Sequence, residues 1–176
     1  MNLEERLLEK KEILTEKWFD LVLSSYPEAT QKIWKSNSDQ FTNPVGITTQ
    51  RVTRELFDLI IDWKDVDAIA KSLEDLIKIR AVQEFAPSRA LSFVFLFKKL
   101  LRDEFMQDLK KEGKLDELLA FETRVDNLGL IAFDIYTKNR DLITQMRIGE
   151  VKRSHHMLLR RVNEIEEASA KGAEQV

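Results

Sequence analysis

Two adjacent histidines, His155 and His156, are the only imidazoles in the chain, and they sit in the stretch KRSHHMLLRRVNEI, residues 152–165. Imidazoles bind zinc and haem iron and change charge near neutral pH. Helical geometry argues against a chelate here. Neighbouring helical residues point about 100° apart, whereas metal pairs on helices use i, i+3 or i, i+4 spacing. Four residues before and after the pair lie Val151, Lys152, Leu159 and Arg160, none of which is a ligand. The flanking Lys152, Arg153, Arg160 and Arg161 suit an exposed helix rather than an apolar haem pocket. With no cysteine, disulfides, thiolate metal sites and thiol catalysis are excluded. No phosphate-cradling glycine loop, nucleophile elbow or metal signature is present. Carboxylate pairs such as Glu74–Asp75 fit solvated faces. No cofactor is implied, and the chain reads as a non-enzyme.

The spacing around His155 carries more. Ile148, Val151, His155, Leu158, Val162 and Ile165 recur at intervals of three and four, the a/d rhythm of a coiled coil. His155 then takes an a position, His156 points outward, and Arg161 at g and Glu166 at e can pair between parallel chains. These eight positions are the expected contact of a homodimer. An imidazole at a core position brings two positive charges face to face when protonated, which would make such a dimer sensitive to pH. The competing reading is an amphipathic helix packed on its own domain.

A second group is a candidate pocket lining: Trp18, Phe19, Arg80, Phe93, Phe97, Phe133, Asp134 and Tyr136. The aromatic members could enclose an apolar ligand such as a fatty acid. A buried Arg80 or Arg89 beside Asp134 would more readily be a structural pair than a catalytic one, because a buried charge needs a partner in either case. Close packing of an ordinary core is the plainer account of the rings.

The elements that must position these residues are helices. The 176 residues are 43% hydrophobic and 34% charged, with only five glycines and three prolines. That composition supports one globular domain with long helices. The net charge of −3 gives no overall nucleic-acid footprint. The longest apolar run, residues 90–97, is too short to span a bilayer, and MNLEERLLEKKE reads against a secretory leader. The periodicity predicts a first helix over residues 3–25 capped by Asn2 with Glu5, a short one opened by Pro27, and a third from Pro44 to about Trp63 capped by Asn43. A fourth follows Asp65, and a central one runs from Pro87 to about Lys111 and ends at Gly113. Beyond it, a wide apolar stripe through Leu118, Phe121, Val125, Leu128, Ala132, Ile135, Leu142 and Met146 predicts core packing. A break is expected near Asp126–Gly129, giving six to seven helices and an all-α fold. The expected organisation is a domain over 1–148, an exit helix over 149–168 and a frayed tail over 169–176.

Several stretches together resemble a known family: ILTEKWFDLVLSSYPEAT, DQFTNPVGITTQRVTRELFDLI, IRAVQEFAPSRALSFVFLFKKLLRDE and IAFDIY. The chain is similar, over about Leu3–Glu150, to the N-terminal sensor domain of RsbT co-antagonist proteins of the RsbRD type, with NPVG and QEFAPS the most specific pieces. The resemblance implies a globin-like helical bundle without haem, a dimer, and a cytoplasmic role in bacterial stressosome-like signalling. In full-length co-antagonists a helix joins this domain to a phosphorylatable STAS domain. This chain stops about where that domain would begin, so the resemblance implies either a stand-alone sensor or adaptor, or a fragment of a longer protein. Its partner would be a signalling or redox-complex protein.

Overall fold

The computed structural model describes residues 1–39, 41–83 and 85–173, with side chains described as far as Ile165. Among these residues the chain forms seven helices: α1 (Leu3–Glu9), α2 (Lys11–Leu23), α3 (Glu28–Ser36), α4 (Pro44–Asp62), α5 (Val66–Val82), α6 (Pro87–Lys111) and α7 (Leu115–Ala173). No strand occurs among the described residues. The all-α expectation therefore holds. Residues 174–176, part of the expected frayed tail, lie outside the described residues.

The helix starts follow local chemistry. The Asn2 side chain accepts the Glu5 N–H while the Glu5 carboxylate accepts the Asn2 N–H, a reciprocal capping box. Asn43 caps α4, with Pro44 in its first turn, and Asp65 caps α5 through the Ala68 N–H. At the far end of α4, Trp63 takes a left-handed conformation (φ 46°), and Gly113 does the same after α6 (φ 70°). Such residues terminate helices by turning the chain out of the helical path.

Two expectations fail. The predicted first helix is two, because the chain bends at Lys10 (φ −98°, ψ 13°). The bend lets Leu3 and Leu7 on α1, and Leu14, Trp18 and Val22 on α2, all be buried. Lys10 is held there by an ion pair to Glu104 at 2.7 Å and by the Phe105 ring. The predicted break at Asp126–Gly129 is absent, and α7 is continuous through it. Asp126 is tied to Lys98 at 2.9 Å, and Gly129 serves an approach rather than a stop. A Cβ there would lie 3.1 Å from the Phe95 ring.

The chain divides into two compact units, Met1–Asn139 and Arg140–Val176. The core of the first centres on α2, α4 and α6. The Trp18 indole stacks on Phe97 with centroids 4.2 Å apart and donates its Nε1–H to the Phe93 carbonyl at 2.9 Å. Phe57 meets Phe97 edge-on at 5.9 Å. Each such ring, fully buried, contributes roughly 1.5–3 kcal/mol. Residues 115–139 of α7 add Leu118, Phe121, Val125, Leu128, Ala132 and Tyr136 to this core. The expected stripe does not continue: Leu142 is 45% exposed and Met146 65%, and both belong to the second unit.

Candidate functional site

The candidate pocket residues separate into two sets. Trp18, Arg80, Phe93 and Phe97 are fully buried, and Phe19 and Tyr136 nearly so. Phe133 and Asp134 are exposed, because their side of α7 turns away from the core. Asp134 and the buried Arg80 therefore do not line one pocket. The rings of Trp18, Phe93 and Phe97 stack on one another. The groove beside Phe19, about 330 Å³, is bordered by Glu12, Glu16, Asp20 and Arg54 and is polar.

Arg80 is the unusual group. Its Nη1 donates to the carbonyls of Arg89 and Ala90 at 3.2 and 3.3 Å, and its Nη2 to the Val22 carbonyl at 3.0 Å and Ser25 Oγ at 3.2 Å. The guanidinium faces the rings of Tyr26, Phe85 and Phe93 at 5.5–5.7 Å. Its Nε is buried with no hydrogen-bond partner among the described residues. Carbonyl dipoles at the end of α2 and ring faces take the place of a carboxylate. Burial pushes the Arg80 pKa down, and the nearby Arg89 adds to that. One side chain thereby fastens α5 to the C-terminus of α2 and the N-terminus of α6.

A shell surrounds it. Arg89 donates to the Ser25 carbonyl and covers the Phe85 ring at 4.5 Å. The Tyr136 hydroxyl donates to the Phe85 carbonyl. The Tyr26 hydroxyl donates to Gln83 Oε1 at 2.7 Å, and its ring meets Trp34 and Phe85 edge-on. Burial raises the Tyr26 pKa. Thus Gln83, Phe85 and Pro87 of the QEFAPS stretch form the joint between α5 and α6. The NPVG stretch does comparable work. Asn43 is fully buried, its Oδ1 accepting the Gly46 N–H at 3.0 Å and its Nδ2 donating to the Trp34 and Asn37 carbonyls at 2.8 and 2.6 Å. A Cβ at position 46 would lie 2.5 Å from Asn43 Oδ1, so a larger residue there has to displace the capping side chain.

Both joints lie within the stretch that the family comparison covers. The profile of the RsbT co-antagonist protein rsbRD N-terminal domain matches residues 12–151. The chain belongs to this family. The match spans α2 to α6 and continues into α7. No curated relative and no solved structure matches the chain. The rsbRD N-terminal domain is a signalling domain, and the matched stretch leaves most of the basic segment around the histidines outside it.

The second candidate surface lies in the second unit. Ile148 is 49% exposed, Val151 69%, Leu158 59%, Val162 49% and Ile165 64%. His155 and Arg161 are exposed beside them, and the Glu166 side chain lies outside the described residues. His155 and His156 stand on successive positions of α7, and among the described residues no group of three or more His, Cys, Asp or Glu is placed to hold a metal ion. Among the described residues no helix is long and apolar enough to cross a membrane.

Sequence reasoning missed the joint built on Tyr26, Phe85 and Arg89, and the exposed Phe95 lying over Gly129. The proline-led turns at Pro27 and Pro87 were the available signal for the joint, since each delivers an aromatic residue just before a helix start.

Proposed function

We propose that this rsbRD N-terminal domain protein is a non-enzymatic, cytoplasmic signalling or adaptor module that works as a homodimer, with Ile148, Val151, His155, Leu158, Val162 and Ile165 as the seam. The observation that carries the reading is the row of five half- to two-thirds-exposed aliphatic side chains at a/d spacing on one helix. Single exposed apolar residues are ordinary on a protein surface, but a contiguous row of them marks an interaction site. The stacked rings of the first unit favour interaction over ligand carriage, because they fill the interior with one another. A signal would travel as a small change in helix packing or crossing angle, to a signalling or redox-complex protein.

Sedimentation equilibrium of the full chain over a concentration series tests this. The wild type should dimerise, and a Val151→Asp, Leu158→Asp double variant should be monomeric with unchanged near-ultraviolet dichroism from the aromatic core. A wild type that stays monomeric throughout the series rejects the dimer.

A further inference from the structure

The seam helix has a charge that a pair of identical chains leaves unbalanced. Residues 147–161 carry five Lys or Arg against one acidic residue, a net of +4 in a chain whose net is −3, which leaves −7 on the rest. Lys152, Arg153 and Arg161 are exposed and make no ion pair with a described residue. Among the described residues Arg160 pairs only with Glu164, along the helix at 2.8 Å, and its side chain is 82% exposed. In the heptad of the seam, Arg153 and Arg160 both fall at f, facing away from a second copy, while Lys152 and Arg161 flank the seam at e and g. Met157 at c, between the two f-position arginines in sequence, is 67% exposed. Each helix of such a pair carries positive charge along its own outer face, which also offers apolar contact.

We propose that this outer face, Arg153, Met157 and Arg160 flanked by Lys152 and Arg161, docks an acidic amphipathic segment of a different protein. The placement of the basic face rests on the dimer reading above. Charge complementarity selects the partner: carboxylates spaced along a helix match cations repeating every seven residues, and apolar side chains between them meet Met157. A lipid surface fits less well, since residues 137–173 contain no Trp, Tyr or Phe to anchor at a membrane interface. A nucleic acid fits less well too, since the remaining −7 opposes a phosphate backbone. Docking and dimerisation are linked reciprocally: an acidic segment that lowers the repulsion between the two helices tightens the dimer, and the dimer tightens docking.

The test uses the full chain and a synthetic amphipathic peptide of Glu, Leu and Ala, with a twin carrying Gln for every Glu. Fluorescence anisotropy should show the Glu peptide binding at least about tenfold more tightly than its twin, with affinity falling as salt rises. The same peptide should shift sedimentation toward the dimer. Arg153→Gln with Arg160→Gln should weaken peptide binding about fivefold or more while the seam still dimerises. Equal binding of the two peptides, or an unaffected double variant, overturns the proposal. So does tighter binding to phosphatidylglycerol vesicles or to oligothymidylate than to the Glu peptide. A chain that remains monomeric yet prefers the Glu peptide rejects the dimer and keeps the acidic partner.

Discussion

Arg102 holds Glu122 through two parallel contacts, Nε to Oε1 at 2.5 Å and Nη2 to Oε2 at 2.6 Å, and the carboxylate so held is almost wholly buried. Lys98 approaches the same carboxylate at 3.6 Å and reaches Asp126 at 2.9 Å. These contacts tie α6 to α7.

The hydrogen bond from Arg102 holds the Glu122 carboxyl below its ordinary range, as Lys10 and Lys17 do for Glu104. A folded-state pKa below the unfolded one means that the folded protein binds fewer protons. The stabilisation is complete above the ordinary carboxylate value, about 4.3, and is lost as pH falls through the lowered folded values. Urea midpoints should be flat from neutrality to about pH 5 and then decline. Glu122→Gln should lower the midpoint at neutral pH and flatten part of the acid slope. An unchanged slope would show that this pair contributes nothing to acid unfolding.

Replacing Arg80 removes four hydrogen bonds and a buried cation packed among three rings at once. Arg80→Ala should cost about 3–5 kcal/mol, whereas Tyr26→Phe, which loses only the hydroxyl's bond to Gln83, should cost about 1 kcal/mol. Chemical denaturation of both variants separates the two roles. Similar losses would mean that the Arg80 guanidinium is not the fastening that its hydrogen bonds describe.

Asn43 and Gly46 should behave as one unit. Asn43→Ala removes the cap and two buried donor contacts, for about 2–3 kcal/mol. Gly46→Ala drives a methyl into the Asn43 side chain and should cost a comparable amount. Once position 43 is alanine the obstruction is gone, so the double variant should be far less damaged than the two losses combined. Additive losses would refute the coupling. Gly149 is the opposite case, with nothing within 4 Å of an added Cβ. Gly149→Ala should stabilise the helix by about 0.5–1 kcal/mol, visible as increased helical dichroism on heating.

The dimer proposed above brings two +4 segments together, so its dissociation constant should fall as salt is raised, opposite to the salt response of docking an acidic peptide. His155→Leu should tighten the dimer about tenfold, since it replaces a polar ring at a core position with an apolar side chain. Analytical ultracentrifugation at two salt concentrations, with and without the substitution, decides both. A dimer loosened by salt would place attractive ion pairs, not repulsion, across the seam.

Capping and periodicity revealed much of the fold because both are local. Asn2, Asn43, Asp65 and Pro87 announce helix starts through chemistry that acts within four residues. The errors lie where a distant partner decides. Gly129 looks like a breaker until the Phe95 ring is found lying over it. Lys10 sits in an unbroken helical pattern, and its bend depends on burial on both sides and on Glu104. Arg80 was legible as a candidate for burial. Its partners were not, because they are main-chain carbonyls and ring faces from three other segments, which leave no complementary residue in the sequence. The exposed aliphatic row of the second unit was legible as spacing, since a helix without tertiary cover keeps the pattern that its own period writes.

From Val151 to Ile165 every side chain is exposed. Helical order in that stretch depends on its own propensity, and isolated helices are marginal in water. Its amides should therefore trade hydrogen for deuterium quickly in the free chain and slowly once the surface is covered, while the amides around Trp18 stay protected throughout. The rate of that exchange turns occupancy of the helix into a clock, readable before any partner has been identified.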